Sequence, residues 1–304
     1  MGMRRTTAVV PPENDESMLE PASYFFLSQR QRLHYVDWGN PDAPPLILLH
    51  GGRDHCRNWD WIASELRKDW HVIAPDLRGH GDSAWSPDGA YSMISYVYDL
   101  AELVRQLGLA PVRIVAHSLG GNIALRYAGL FPEEVTKLVA IEGLGPSPDK
   151  VAENLSTPLV DHLRSWIEKR RDVAARTPRR YPSVEAALDR MREENPRLDE
   201  ARARHLTRHG LLRHEDGTFG WKFDNYVRTI QIMDLHLTLP AEFWSRIACP
   251  TLLIYGVESW ASNPALDGRA DHFANARVVT VEGAGHWVHH DREELFIEEL
   301  RAFL

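Results

Sequence analysis

Short hydrophobic runs recur along the chain from about residue 24 onward, and none approaches the ~18 apolar residues of a membrane span. Most contain almost no polar position, which is typical of strands buried on both faces of a parallel sheet. The first run instead alternates between apolar and polar residues, as in a half-exposed strand. The predicted strands are Arg32–Asp37 (the alternating one), Leu46–Leu49, His71–Ala74, Val112–Ala116, Leu138–Ile141, Thr251–Tyr255 and Val278–Val281.

Hydrophobic residues at helical spacing separate several of these runs. One predicted helix contains Val97 and Leu107 and ends at Gly108, because glycine readily adopts the left-handed backbone that stops a helix. A second contains Ile123 and Leu130 and ends before Pro132. This alternation predicts a doubly wound α/β fold.

The alternation stops between about residues 145 and 240. Since connections in α/β units usually span about 2–6 residues, a stretch of ~95 residues predicts a helical cap inserted over the sheet. The core is then residues 21–144 and 241–304, and residues 1–20 are expected to be a flexible tail. The segments predicted inside the cap are helices over Leu159–Arg171, Val184–Glu194 and Asp199–Leu212, and a more aromatic segment over Phe223–Met233.

The composition and net charge of the chain limit which kinds of protein it can be. A length of 304 residues, with 43% hydrophobic and 26% charged residues, is ordinary for a soluble globular protein. The net charge of -8 argues against nucleic acid or an anionic membrane as the main partner. Cys56 and Cys249 lack a metal-type spacing and are expected to be reduced, which favours a cytoplasmic location.

The strongest catalytic motif is Ala116-His117-Ser118-Leu119-Gly120-Gly121, which lies between a predicted strand and a predicted helix. Small residues on both sides of Ser118 allow a sharp turn that exposes the serine at its tip. The following helix points backbone N–H groups at the place where an oxyanion forms. Although Ser-x-Gly alone is weak evidence, this context predicts Ser118 as a nucleophile.

A second glycine-containing loop, His50-Gly51-Gly52, follows another buried strand. Because glycine permits close backbone approach, the N–H groups of Gly52 and Leu119 are predicted to form an oxyanion hole. The alternative is a simple tight turn. His50 and His80 are predicted to be structural.

Near the end of the chain, Gly283-Ala284-Gly285-His286 follows the last predicted strand. A histidine on such a loop can bring its imidazole to the serine and act as the base. His289 and His290 make a compact cluster with His286, but no carboxylate or cysteine completes a recognisable metal motif. We therefore expect no metal.

These motifs, their order and their spacing resemble the α/β-hydrolase superfamily over Tyr24–Leu304, the insertion excepted. The resemblance rests on the Ser118 turn, the His-Gly-Gly loop, the Asp76-Leu-Arg-Gly-His-Gly81 segment and Gly285-His286. It implies an eight-stranded core with a cap inserted after the sixth strand, which is where the helical stretch falls. Epoxide hydrolases and haloalkane dehalogenases of this superfamily use Asp as the nucleophile, so Ser118 argues against both.

The triad acid departs from the common family pattern. Members often carry it after the seventh strand, three or four residues beyond a glycine, where this sequence has Ser259 and Trp260. Other members carry the acid at the end of the sixth strand, where this sequence has Glu142. We predict Glu142 as the acid, with Glu258 as the alternative.

The leading hypothesis is a serine hydrolase that needs no cofactor and cleaves a carboxylic ester or lactone through an acyl-enzyme on Ser118. Hydrolysis of a carbon–carbon bond in a ring-cleavage product, which related capped serine enzymes perform, is the alternative reaction. A non-catalytic ligand receptor with the same fold is the alternative outside enzymes. The expected substrate is a small apolar molecule, and the residues expected to contact it are Trp221, Tyr226 and Trp260.

Overall fold

The computed structural model describes residues 20–229, 234 and 240–304. The predicted flexible tail therefore lies outside the described residues except for Glu20, whose carboxylate lies 2.6 Å from Arg57 Nη2. The predicted aromatic segment Phe223–Met233 is described only as far as Thr229. None of the helices described is long and apolar enough to cross a membrane.

Eight strands form one mostly parallel sheet, which confirms the predicted class. β1 (Ala22–Ser28) and β2 (Gln31–Asp37) pair antiparallel with each other, and β2 is also antiparallel to its second neighbour β4 (His71–Pro75). All other pairs in the sheet are parallel, and its order is β1-β2-β4-β3-β5-β6-β9-β10. The remaining strands of the sheet are β3 (Pro45–Leu49), β5 (Val112–His117), β6 (Val135–Ile141), β9 (Thr251–Gly256) and β10 (Ala276–Val281).

Two hydrophobic cores lie on opposite faces of this sheet. Along β3, Leu46 and Leu48 belong to one core, whereas Ile47 and Leu49 belong to the other. Both faces are buried, which explains the continuous hydrophobic runs, and burial of each such side chain stabilises the fold by about 1.5–3 kcal/mol. Helices α2 (Met93–Leu107), α3 (Leu119–Leu130) and α8 (Pro240–Arg246) cover the second core, and helices α1 (Asp60–Leu66) and α9 (Glu293–Phe303) cover the first.

The helix predicted to end at Gly108 does so, and Gly108 has the expected left-handed backbone with φ 65°. Strand β1 was not among the predicted strands, because it lies at the edge of the sheet and most of its side chains are exposed. Cys56 and Cys249 are both buried and free of a disulfide.

The region predicted as a cap consists mainly of helices α4 (Pro148–Ser156), α5 (Leu159–Ala175), α6 (Val184–Glu194) and α7 (Glu200–Gly210). The prediction of a helix through Leu212 is wrong at its end, because α7 stops at Gly210 and Leu211 starts a β-hairpin of β7 (Leu211–Arg213) and β8 (Phe219–Trp221). The tip of this hairpin contains Gly217 at φ 83°, a backbone that suits glycine. The region predicted to be helical therefore also contains two short strands.

Backbone hydrogen bonds attach the segment after β8 to the core. Phe223 forms an isolated antiparallel bridge with His80. The Asp224 N–H donates to the Gly79 carbonyl over 2.9 Å, and the Tyr91 hydroxyl donates to Asp224 Oδ2 over 2.6 Å. The residues that follow β8 are thus fixed relative to the carboxyl end of β4.

We expect Gly121→Ala to destabilise the protein by about 1–3 kcal/mol. A Cβ at this position would lie 2.7 Å from Gly143 Cα, so α3 and the loop after β6 would have to separate. Without this contact, alanine in place of a helical glycine would instead stabilise the protein by about 0.8–1 kcal/mol.

Urea unfolding measures this difference. Gly108→Ala is the control, because no atom lies within 4 Å of its Cβ and only the left-handed backbone opposes the change. A Gly121→Ala protein at least as stable as wild type would contradict the close packing of α3.

Candidate active site

Ser118 is the single residue between the end of β5 and the start of α3. Its backbone has φ 51° and ψ -114°, a conformation rare for residues other than glycine. The Ser118 N–H donates to the Ile141 carbonyl over 2.8 Å, and the Asn122 N–H donates to the Ser118 carbonyl over 3.0 Å. A strained residue held in this way by β6 and α3 is typical of a functional site.

The structure brings Ser118, His286 and Glu142 together. Ser118 Oγ lies 3.0 Å from His286 Nε2, and His286 Nδ1 donates to Glu142 Oε2. The Glu142 side chain is fully buried, whereas 21% of the His286 side chain is exposed. With its proton held on Nδ1 by the carboxylate, His286 presents the lone pair of Nε2 to the serine hydroxyl.

The Glu142 carboxylate has two further donors. Its Oε1 accepts from the Gly256 N–H at the end of β9 over 3.0 Å. Its Oε2 also accepts from the Ser259 hydroxyl over 2.5 Å. Ser259 occupies a position where family members often carry the acid, and here its hydroxyl donates to Glu142, which directly follows β6. Sequence reasoning located Ser259 but did not find this role.

The alternative acid, Glu258, lies elsewhere. Its carboxylate forms an ion pair with Arg197, and half of its side chain is exposed. Its N–H donates to the Ala284 carbonyl over 2.9 Å. The structure thus places Glu258 in a surface ion pair instead of beside His286.

The loop containing Gly52 lies against the Ser118 turn. A Cβ on Gly51 would be 3.3 Å from Ser118 Cβ, and one on Gly52 would be 3.8 Å from Leu119 Cδ2. Leu119 is the first residue of α3, where a backbone N–H has no acceptor within the helix. The two predicted oxyanion-hole residues therefore lie side by side next to the serine.

A buried histidine supports the loop of His286. His117 Nε2 donates to the His286 carbonyl over 2.9 Å, and their ring centroids are 4.8 Å apart. The His117 ring also lies 4.8 Å from that of His289, whose Nε2 donates to Asn58 Oδ1 over 2.8 Å. Burial lowers the pKa of both His117 and His289 well below the usual range, so both rings are neutral. Sequence reasoning missed His117, whose one signal was its place before Ser118.

Two groups among the described residues have ligand atoms close enough to hold a metal, and neither includes His286, His289 or His290. They are His34, Cys56 and Asp76, and Asp60, His205 and His209. In the first group the atoms are already engaged, because Asp76 accepts from His34 Nδ1 and from the Cys56 N–H, each over 2.7 Å.

The histidines predicted to be structural are buried in this part of the core. His50 Nε2 accepts from the Leu77 N–H over 3.0 Å, and burial lowers the pKa of His50 to about 3. His80 Nδ1 donates to the Arg78 carbonyl over 2.9 Å, and burial lowers its pKa to about 4. Both rings therefore act as neutral hydrogen-bonding groups within the loops.

The three predicted substrate-contacting residues lie in different places. Trp260 is 81% exposed, and its ring centroid lies 4.6 Å from that of His286. Trp221 Nε1 donates to the Tyr181 hydroxyl over 3.2 Å, and the Tyr226 ring lies 4.6 Å from the Arg170 guanidinium. In the described part of the chain, only Trp260 of these three contacts a triad residue.

The fold and this site match a known family. A family model described as "alpha/beta hydrolase fold" matches residues 44–293. The chain belongs to this family. In this α/β-hydrolase, Ser118 lies between the strand β5 and the helix α3 that follows.

Relatives of this α/β-hydrolase include enzymes that cleave esters. It is 31% identical over 275 residues to an esterase of Mycobacterium tuberculosis, covering 88% of this chain and 84% of that protein. It is 29% identical over 269 residues to the sn-1-specific diacylglycerol lipase ABHD11 of Mus musculus, covering 88% and 82%. These similarities support a hydrolase of the ester type.

Solved structures give the same picture of the fold. The crystal structure of the M. tuberculosis esterase superposes with a TM-score of 0.73 at 28% identity, covering 93% of this chain and 91% of the esterase. The thioesterase domain from the curacin biosynthetic pathway superposes with a TM-score of 0.80 at 24% identity, covering 93% and 100%.

We expect Glu142→Gln to lose about 10³- to 10⁴-fold in kcat, because the amide no longer fixes the His286 tautomer or stabilises its protonated form. Glu258→Gln, the matched control, should keep most activity, since it breaks only an exposed ion pair. Kinetics with a chromogenic ester, together with circular dichroism, measure both effects. The reverse pattern would move the acid to Glu258.

We expect His117→Phe to lower kcat by roughly 10-fold with little change in KM. The His286 carbonyl loses its donor, so the loop that contains His286 is no longer held in position. His117→Gln keeps an N–H donor near the position of Nε2 and should retain more activity. Equal activity in wild type and both variants would show that His117 does not position His286.

Proposed function

We propose that this α/β-hydrolase is a serine hydrolase that cleaves a carboxylic ester or lactone through an acyl-enzyme on Ser118. The observation that carries this proposal is the hydrogen-bonded series from Ser118 through His286 to the buried Glu142. No cofactor is needed for this chemistry, because the three side chains supply the nucleophile, the base and the acid.

In the first half-reaction, Ser118 Oγ attacks the carbonyl carbon while His286 Nε2 takes the hydroxyl proton. The N–H groups of Gly52 and Leu119 stabilise the oxyanion that forms. Glu142 stabilises the imidazolium, which then gives its proton to the leaving alcohol. The carbon–oxygen bond breaks, and the acyl group stays on Ser118.

In the second half-reaction, water replaces the alcohol. His286 Nε2 takes a proton from water as it attacks the acyl-enzyme, and the resulting imidazolium returns a proton to Ser118 Oγ. The products are a carboxylic acid and the free enzyme. A lactone follows the same steps, except that acid and alcohol leave as one hydroxy acid.

The named relatives and the geometry of the site favour ester hydrolysis over carbon–carbon bond cleavage and over a ligand receptor. Relatives named as an esterase and a diacylglycerol lipase support ester hydrolysis over cleavage of a carbon–carbon bond. A ligand receptor would not need a buried carboxylate hydrogen-bonded to a histidine that itself contacts a serine. The acid missing after β9 does not favour the receptor either, since Glu142 occupies the triad position from β6.

We further propose that residues 145–240 act as a cap that selects the substrate, and that Trp260 contacts the substrate beside His286. Trp260 is the most direct candidate, because its exposed ring lies next to the base. Trp221 and Tyr226 would act through the packing of the cap. The two buried free cysteines support a reducing location such as the cytoplasm.

We expect Ser118→Ala to fold normally and to lose both ester turnover and labelling by an organophosphonate. Wild type should release a burst of p-nitrophenol from a p-nitrophenyl ester, as an acyl-enzyme mechanism allows. Ser245→Ala is the matched control, because this exposed hydroxyl only bonds its own helix. Phosphonate on another residue, or near wild-type turnover by Ser118→Ala, would disprove the nucleophile assignment.

A further inference from the structure

Arg53 directly follows the oxyanion-hole residue Gly52, and its backbone is left-handed with φ 64°. Glycine is the usual residue for such a backbone, so a long cationic side chain is unexpected here. The Arg53 side chain is exposed. An outlier of this kind next to the catalytic loop is a reason to ask what its side chain binds.

Arg53 also lines a small cavity between the core and the cap. The same cavity is lined by Phe223 from the cap and by Trp287, the neighbour of His286 in sequence. Its free volume is about 30 Å³, enough for roughly two water molecules or one group of that size, such as a carboxylate. The cavity thus lies between chain neighbours of the oxyanion hole and of the base.

A second arginine, Arg228, lies against Phe223, one of the residues that line the cavity. The guanidinium carbon of Arg228 lies 5.5 Å from the centroid of the Phe223 ring. Phe223 is attached to the core by its bridge to His80, so Arg228 has a defined position relative to Arg53. Partial burial and the charge of Arg53 lower the pKa of Arg228, the charge of Glu194 raises it, and the charge of Arg176 lowers it further.

Among the described residues no carboxylate forms an ion pair with Arg53 or Arg228, and the charge of Glu194 acts on Arg228 only from a greater distance. The neighbouring cation Lys222, in contrast, forms an ion pair with Asp82 over 2.8 Å. The carboxyl group that lines the cavity, that of Asp54, adds little negative charge at neutral pH, because burial raises its pKa to about 8.

We propose that Arg53 and Arg228 form an anion site beside the nucleophile, and that the ester cleaved at Ser118 carries a carboxylate. This inference rests on the proposed ester hydrolysis and refines its substrate class. A planar carboxylate matches the donor geometry of guanidinium groups. The substrate then combines a charged end with an apolar part that lies along Trp260, in place of the wholly apolar molecule expected from the sequence.

Two pairs of esters test the site by kcat/KM. Mono-p-nitrophenyl adipate and p-nitrophenyl hexanoate have the same acyl length and differ by a carboxylate on the acyl side. 4-Acetoxybenzoate and 4-acetoxybenzamide differ by a carboxylate on the alcohol side. Wild type should prefer the anionic member of at least one pair by about 5-fold or more, and the preference should shrink at high salt.

Variants assign this preference to the arginines. Arg53→Gln and Arg228→Gln should each lose most of the preference, because kcat/KM for the anionic ester falls more than kcat/KM for its neutral partner. Arg53→Gly should do the same and fold at least as stably, since glycine suits the left-handed backbone. Arg53→Lys should keep part of the preference. Arg190→Gln, which removes an exposed arginine paired with Glu193 and Glu194, is the matched control and should change nothing.

Ser118-dependent hydrolysis without a preference in either pair, or a preference that survives in both glutamine variants, would overturn the anion site. Failure of the ester function looks different, because no ester would then be cleaved in a Ser118-dependent way. For that case, calorimetric titration of Ser118→Ala with adipate is a separate test. Adipate binding that Arg53→Gln weakens at least about 5-fold supports the site, and binding unaffected by Arg53→Gln overturns it.

Discussion

The left-handed backbone of Ser118 is the constraint on which the site depends. It is held because its N–H is bonded to β6 and its carbonyl starts the hydrogen bonding of α3. Such a turn requires that α3 begin very close to its neighbours. A Cβ on Gly120 would lie 2.6 Å from the His50 carbonyl, and one on Gly121 would lie 2.7 Å from Gly143. The two glycines therefore set the distance from the nucleophile to the oxyanion loop on one side and to the acid strand on the other.

A buried carboxylate is the second requirement, since an ion removed from water costs several kcal/mol unless donors surround it. Glu142 satisfies this requirement with a backbone N–H, a serine hydroxyl and the histidine Nδ1–H. Two of these donors lie on or just after β9. The proposed acid follows β6, but the end of β9 still supplies two of its donors. One of them is Ser259, at a position where the family often has the acid itself.

Much of this arrangement could be predicted because it has a local signature. Strands buried on both faces leave continuous hydrophobic runs, and the Ser118 turn needs small residues next to one another in sequence. Features that depend on distant partners could not be predicted. His117 bonds a carbonyl 169 residues away, and Ser259 donates to a carboxylate 117 residues away. Strand β1 and the hairpin in the cap gave weak patterns, because the first is mostly exposed and the second is only three residues per strand.

The net charge of the chain affects how an anionic substrate approaches the site. A chain of net charge -8 repels anions at long range, but screening confines that repulsion to about 8–10 Å at physiological salt. At shorter distances the proposed anion site at Arg53 and Arg228 would outweigh that repulsion, since Lys222 is paired with Asp82 and burial raises the pKa of Asp54 to about 8. Ester hydrolysis also creates a new carboxylate at Ser118. If that product stayed at the proposed anion site it would inhibit the enzyme, so the exposure of Arg53 to water is as relevant to product release as its charge is to binding.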